Sequence, residues 1–181
     1  MNAEKKLLEV AVDLVKLLNK EADKRLPKEI ADAVKLHSTL AVGSAWIPVP
    51  GADVAAGAAN IWGMYIRINK KIGIPVKENI LKTIGAGVAT NLASYMVTSG
   101  AASLLKLTGV GYLWGAAIMS ASLYAVTLAS GFVYLKALTA LARKSGGNLN
   151  ISDIPKAVND ILKEKNIIKD FIDSAKKEYK K

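Results

Sequence analysis

Few residues in this sequence have side chains that could do chemistry, and their spacing does not assemble a catalytic site. The chain has one histidine, His37, and no cysteine. His37 could pair with Asp53, but a single histidine at the start of an apolar helical stretch is more typical of a structural residue. Ser38, Ser44 and Ser99 lack the strand–turn–helix setting of a nucleophilic serine. We therefore predict no catalytic residue and no enzyme.

The sequence does not indicate a cofactor or a metal either. The segment Gly85-Ala86-Gly87 lies in a predicted helix and lacks the Lys-Ser or Lys-Thr of a phosphate-binding loop. Asp53 and Glu78 are the only acidic residues between 36 and 142, too few for a carboxylate metal site. A thiolate metal site and a disulfide both require cysteine. We therefore predict no cofactor-binding and no metal-binding residues.

The distribution of charge along the sequence indicates two long uncharged segments in its middle. Residues 36–142 hold seven basic and two acidic side chains, whereas both flanking segments are densely charged. There are 23 uncharged residues between Lys82 and Lys106, and 29 between Lys106 and Lys136. As helices these stretches would be roughly 35 and 43 Å long at about 1.5 Å per residue. A hydrocarbon core is about 30 Å thick, so either stretch is long enough to cross a bilayer.

Hydrophobic periodicity predicts an all-α fold. Apolar residues recur at three- and four-residue steps near both ends of the chain, which is typical of amphipathic helices. We predict one domain, a compact helical bundle around a central hydrophobic helical hairpin at 83–142, flanked by amphipathic helices. Its parts are an N-terminal amphipathic segment at 1–35, a hydrophobic core at 36–144 and basic C-terminal helices at 145–181. The predicted helices cover 3–22, 27–46, 52–71, 76–105, 112–142, 153–164 and 167–179.

Two turns divide the predicted core. Pro48, Pro50 and Gly51 must break the helix between the second and third helical segments. Asp53 then falls in the first turn of the next helix, where its carboxylate meets the positive end of the helix dipole. The alternative for this residue is an intramembrane charge paired with a basic side chain. The second turn, that of the hairpin, is predicted at two glycines, Gly109 and Gly111.

The basic residues favour a membrane partner over nucleic acid. The net charge is +10 and the pI is about 9.7, but only three residues are arginine. No glycine-rich aromatic motif or zinc spacing accompanies the charge, which disfavours nucleic acid. Excess lysine beside apolar spans favours an anionic lipid surface, and the positive-inside rule predicts the cytoplasmic face of the bacterial inner membrane. The predicted membrane-surface charges are Arg67, Lys70, Lys71, Lys136, Arg143 and Lys144.

Three segments carry a resemblance to a known family. They are the string Ile47-Pro48-Val49-Pro50-Gly51-Ala52-Asp53 with the Ala-rich helix after it, the string Ile72-Gly73-Ile74-Pro75, and the small-residue hairpin around Gly109-Val110-Gly111. With them, residues 37–143 resemble an uncharacterised bacterial family of helical membrane-associated domains, found after Era-like GTPase domains and in YcjF-like inner-membrane proteins. The resemblance implies an all-helical fold, association with a membrane or a GTPase, and no known catalytic residue. Because the sequence has no phosphate-binding loop, the implied GTPase would be a separate partner.

Three functions remain open from the sequence. The first is a non-enzymatic membrane-associated domain that acts as an anchor or adaptor, for a GTPase, another protein partner or a second copy of the chain. The second is a conditionally soluble, pore-forming or membrane-permeabilising protein, a design that resembles colicin pore-forming domains. The third is a soluble helical protein-interaction module or apolar-ligand carrier, with the small-residue helices as a close-packed core.

Overall fold

The computed structural model describes residues 28–46, 52–92, 112–146, 149–166 and 168–172, and within these ranges the chain is helical with no strand. The α-helices described are α1 (Lys28–Ser44), α2 (Ala52–Ile72), α3 (Glu78–Leu92), α4 (Tyr112–Lys144) and α5 (Ile154–Leu162). A 3₁₀ turn, Ile151–Asp153, leads directly into α5, and residues 168–172 are also helical. The predicted all-α bundle is confirmed. The predicted helix at 3–22 lies outside the described residues.

Helix α2 ends at a glycine, as its sequence predicts. Gly73 adopts a φ of +72°, a left-handed conformation that costs glycine little. The Ile74 N–H donates to the carbonyl oxygen of Asn69 at 3.0 Å, which satisfies one of the carbonyls left unpaired at the helix end. Lys70 and Lys71 occupy the last turn, where their charge meets the negative end of the helix dipole. The chain therefore reverses within a few residues and enters α3.

Helix α4 lies at the centre of the bundle. It packs mainly against α1, α2 and α5, with a smaller contact with α3. Most of its side chains between Gly115 and Leu138 are buried, on all sides of the helix. A helix with apolar side chains on all its faces is stable in water only when other parts of the protein bury it. Of the predicted hairpin 83–142, α3 contains the start of the first arm, residues 93–105 lie outside the described part of the chain, and the second arm is α4.

Two glycines set how closely the helices approach α2. A Cβ at Gly131 would lie 3.0 Å from a Val34 methyl and 3.2 Å from the Met64 sulfur, so α1, α2 and α4 meet without room for a side chain. A Cβ at Gly85 would lie 3.3 Å from the Cα of Trp62, so α3 crosses close to the backbone of α2. The small residues predicted to allow close packing thus do so inside the bundle.

Helix α5 covers the C-terminal half of α4. The ring of Phe132 in α4 stacks on that of Phe171, with centroids 5.4 Å apart. The Lys136 ammonium of α4 forms an ion pair with the Glu164 carboxylate just after α5. The buried apolar face of α5 matches the one that its sequence periodicity predicts, and it consists of Ile154, Val158, Ile161 and Leu162.

Candidate functional site

Helix α4 has the length and composition of a membrane span, yet it is a core helix. Its segment Gly115–Lys144 is 30 residues long and its most apolar window has a mean hydropathy of 1.6. At about 1.5 Å per residue, a helix of this length exceeds the hydrocarbon thickness of about 30 Å. In the bundle, 78% of that window is buried. The apolar surface that would face lipid is therefore already covered by the protein itself.

A buried polar cluster joins α4 to α2. The rings of Tyr65 and Tyr134 stack with centroids 4.2 Å apart, and the Tyr65 hydroxyl donates to the carbonyl oxygen of Ser130 at 3.2 Å. The Asn69 side-chain amide donates to the Tyr134 hydroxyl oxygen at 2.7 Å, and that hydroxyl donates to Asn69 Oδ1 at 3.1 Å. Burial raises the pKa of Tyr65, so it stays a hydrogen-bond donor. We call Tyr65, Asn69 and Tyr134 the tyrosine cluster.

Two buried serine hydroxyls of α4 form hydrogen bonds of different kinds. Ser130 Oγ donates to the carbonyl oxygen of Thr127 at 2.8 Å, a bond within the helix. Ser120 Oγ donates to the carbonyl oxygen of Val42 in α1 at 3.4 Å. The first bond would persist in any environment of the helix, whereas the second exists only while α4 lies against α1.

His37 is half-buried between α1 and α2. A Cβ at Gly63 would lie 3.0 Å from the His37 ring carbon Cε1, so the ring rests directly on the α2 backbone. Burial lowers the pKa of His37, and the positive charge of Arg67 lowers it further, while hydrogen bonding with the backbone of Asn60 opposes the shift. A neutral ring packed on glycine is a structural contact between the two helices. The side chain of Asp53 lies outside the described part of the chain, so the structure does not test whether His37 pairs with it.

Four of the six predicted membrane-surface charges gather at one end of the bundle, which we call the basic end. Lys70 and Lys71 occupy the last turn of α2, and Arg143 and Lys144 occupy the last turn of α4. The two helix ends are neighbours because Ile72 and Arg143 line the same groove. All four basic side chains are exposed.

The other two predicted charges lie elsewhere. Lys136 is half-buried and held by Glu164, so much of its charge is neutralised within the protein. Arg67 is exposed on α2, one turn before the basic end, and acts electrostatically on His37. Four of the six residues therefore lie at the basic end, Arg67 lies one turn away from it on α2, and Lys136 is held in an ion pair.

Most of the predicted turn residues fall outside the described part of the chain. These are Pro48, Pro50 and Gly51 of the first turn, and Gly109 and Gly111 of the hairpin turn. The backbone of Asp53 lies in the first turn of α2, where the sequence places it. Ser99 is also outside, whereas Ser44 Oγ donates to the Ala41 carbonyl oxygen at 2.6 Å as a local helix-end contact.

Three grooves on the bundle surface differ in charge. The groove between the C-terminal ends of α2 and α4, which we call the α2–α4 groove, has a volume of about 710 Å³. Among the described residues, its lining includes two basic side chains and no acidic one. Beside α5, a groove of about 430 Å³ has two lysines and two aspartates in its lining. A third of the same volume, at the α2–α3 turn, has one lysine and one glutamate. Of the three, the α2–α4 groove alone has unbalanced charge.

Within the described ranges, no three His, Asp or Glu side chains are grouped closely enough to hold a metal ion. Comparison of the chain with protein-family models, with curated proteins and with solved structures found no match. The family resemblance of residues 37–143 therefore stays a prediction, and the function has to be argued from the geometry alone.

Sequence reasoning missed the tyrosine cluster and the α2–α4 groove. One signal for the cluster was present: Tyr65 and Asn69 are four residues apart on an otherwise apolar face of α2, and a buried tyrosine hydroxyl needs a partner. The partner, Tyr134, is 65 residues away from Asn69 along the chain. Local periodicity contains no information on such a contact. Local periodicity cannot predict the groove either, because residues of separate helices line it.

Proposed function

We propose that this protein is a non-enzymatic, membrane-associated helical domain that docks on anionic lipid as a folded bundle and acts there as an anchor or adaptor. The single observation that carries this proposal is the burial of the apolar helix α4 within its own bundle, beside an exposed basic end. A bundle of this kind presents charge, and not a bare apolar helix, to the membrane. Each exposed lysine or arginine near an anionic bilayer contributes about 1 kcal/mol to binding.

The contacts of α4 support docking without unfolding. Moving α4 into lipid would break the hydrogen bonds between Tyr65 and Ser130 and between Asn69 and Tyr134. It would also expose the apolar faces of α1, α2 and α5 that now cover α4. Each buried amide or hydroxyl group that loses its hydrogen-bond partner costs about 1–3 kcal/mol. Docking through the basic end requires none of these changes.

The proposed location is the cytoplasmic face of the bacterial inner membrane, where anionic lipid attracts basic protein surfaces. The proposed partner is a second protein or a second copy of the chain, recruited to that surface. The resemblance of residues 37–143 to domains found beside Era-like GTPases supports a GTPase as one such partner.

A second candidate is conditional insertion, and one observation favours it. The helix Gly115–Lys144 is long and apolar enough to cross a bilayer once its cover is removed. In that case the bundle would be the storage form of a pore-forming or permeabilising protein. The soluble interaction module remains the third candidate, and it predicts no binding to lipid at all.

Flotation of purified protein with vesicles tests the proposal. We expect binding to vesicles containing phosphatidylglycerol, little binding to pure phosphatidylcholine, release by high salt, and no leakage of an entrapped dye. The double variant Lys71→Gln/Lys144→Gln should bind at least tenfold more weakly, at about 1 kcal/mol per charge. Its control, Lys163→Gln/Lys169→Gln, removes the same net charge from exposed positions outside the basic end.

The outcomes separate the three candidates. Binding that resists high salt and is accompanied by dye release would replace docking with insertion. If the protein floats with no vesicle, the soluble interaction module would be the one candidate that agrees with the result. Equal loss of binding in both double variants would show that net charge, and not the basic end, drives the association.

A further inference from the structure

We propose that the α2–α4 groove binds one acyl chain of an anionic phospholipid taken from the bilayer, with Arg143 bound to the lipid phosphate. The inference rests on the proposed membrane docking and deepens it by naming the ligand and its site. It follows from the shape, lining, charge and position of the groove.

The groove has the dimensions and lining of an apolar ligand site. Its volume of about 710 Å³ falls within the range of roughly 300–1,000 Å³ that is usual for small-molecule pockets. Apolar side chains from four parts of the chain line it: Ile30, Ile72, Ile74, Phe132, Leu135 and Leu149. Ile72 is 40% exposed, a high value for an isoleucine beside a core. Apolar surface of this kind gains free energy when a hydrocarbon chain covers it.

The charge in the groove selects an anionic headgroup. Arg143 and Lys136 belong to the lining, and none of the acidic residues in the described part of the chain does. Glu164 neutralises Lys136, whereas Arg143 is exposed and forms no ion pair with any described residue. A guanidinium group binds phosphate through two parallel hydrogen bonds, a geometry that lysine cannot reproduce. Arg143 is therefore the residue that would bind the headgroup.

The position of the groove makes the bilayer the source of the lipid. The groove lies between the C-terminal ends of α2 and α4, and its lining residues Ile72 and Arg143 are next in sequence to Lys71 and Lys144 of the basic end. A bundle docked through the basic end would place this apolar groove against the lipid surface. The two neighbouring grooves contain acidic side chains that would repel a phosphate, namely Asp153 and Asp160 in one and Glu78 in the other.

The test uses a short-chain lipid that is soluble as a monomer, so that binding to the groove is measured apart from binding to a membrane. Dihexanoyl-phosphatidylglycerol is titrated into the full chain below its critical micelle concentration, with heat and amide NMR shifts as readouts. We expect one site, with shifts around Ile72 and Leu149, and at least tenfold weaker binding of dihexanoyl-phosphatidylcholine. Arg143→Gln should weaken phosphatidylglycerol binding roughly tenfold or more, as expected for the loss of a charge-assisted hydrogen bond.

Arg67→Gln is the matched control, because it removes the same side chain from an exposed position of α2 that does not line the groove. It should change the affinity by less than about twofold, since an exposed charge outside the site contributes little. Equal weakening by the two substitutions would overturn the assignment of the headgroup to Arg143. Tighter binding of decanoate than of the phospholipid would overturn a membrane source for the ligand.

A filling variant separates the groove from the docking surface. Ala142 is half-buried and lines the groove, so Ala142→Trp should abolish binding of the short-chain lipid while flotation with anionic vesicles persists. Ala59→Trp, at an exposed position of α2, should leave both unchanged. Unaltered short-chain binding in folded Ala142→Trp would exclude the groove as the site and leave docking intact. Short-chain binding without vesicle binding would exclude docking and retain the groove.

Discussion

At the scale of single residues, the tyrosine cluster is what gives the apolar helix α4 a specific place. Dispersion and hydrophobic contacts tolerate many arrangements of similar apolar helices, whereas hydrogen bonds between buried groups fix a register. Asn69 is 3% exposed, and Tyr65 and Tyr134 are fully buried. Their hydrogen bonds therefore stabilise one rotation of α4 about its axis relative to α2.

Removal of two members of the cluster should cost less than the sum of the two single removals. Tyr134→Phe leaves the Asn69 amide buried without its partner, and we expect a loss of about 1–3 kcal/mol in the free energy of unfolding. Asn69→Leu combined with Tyr134→Phe removes both polar groups and should cost less than the sum of the single substitutions. Urea denaturation of the four proteins measures this coupling, and strictly additive losses would contradict it.

His37 should make stability depend on pH. Its pKa in the folded state lies below the ordinary value of 6.5, so between the two values the unfolded chain binds a proton that the folded chain does not. Stability is then lost as the pH falls through about 6.5 and below. We expect wild-type protein to lose more of its free energy of unfolding from about pH 7 to about pH 5 than His37→Gln does.

The measurement is unusually clean, because His37 is the only histidine in the sequence. A single NMR ring resonance reports its pKa, and denaturation at several pH values reports stability. A measured pKa at or above 6.5, or parallel pH profiles for the two proteins, would contradict the assignment.

At the scale of helices, Gly131 is a position of close packing, because a Cβ there would meet side chains of both α1 and α2. Gly131→Leu forces the new side chain against Val34 and Met64, and we expect a loss of about 1–3 kcal/mol from overpacking. Gly87→Leu is the control: nothing lies within 4 Å of its Cβ position, and leucine has a higher helix propensity than glycine by close to 1 kcal/mol. The control should be neutral or stabilised in urea denaturation. Similar losses in both would mean that the helix contact at Gly131 is not tight.

Local sequence signals predicted the helices well, because their ends are set by nearby residues. The interval predicted at 52–71 is Ala52–Ile72, and the one at 27–46 is Lys28–Ser44. Prolines, a left-handed glycine and a basic last turn act within a few residues of the boundary they define. The buried face of α5 was predicted for the same reason, since a strong amphipathic period needs no knowledge of its partner.

Packing partners were beyond the reach of the sequence. Helix α4 is apolar all round and has no single buried face, so its pattern cannot say which helices cover it. Adjacency in the chain suggested a hairpin with the preceding helix, but it could not indicate that α1, α2 and α5 also pack on α4, as they do within the described residues. The ion pair of Lys136 with Glu164 was beyond the sequence for the same reason, because it depends on a tertiary contact between residues 28 positions apart.

At the scale of the whole molecule, a disulfide that holds α4 against α1 would distinguish docking of the folded bundle from insertion of α4. The chain has no cysteine, so Val34→Cys/Gly131→Cys introduces one unique disulfide between α1 and α4. A methyl of Val34 lies 3.0 Å from the Cβ position of residue 131, a spacing that such a bridge can span. We expect the oxidised and reduced forms to float equally with anionic vesicles. Binding or dye release that appears only after reduction would show that α4 has to leave the bundle.

The central place of α4 also has a consequence for synthesis on the ribosome. A chain emerges from its N-terminal side, and domains begin to fold while later residues are still being added. Helices α1 and α2, which form much of the cover for α4, precede it in the sequence. When α4, the most apolar of the described helices, leaves the exit tunnel, surfaces able to cover it are thus already outside. The order of the helices shortens the time for which α4 is available to the insertion machinery or to other nascent chains.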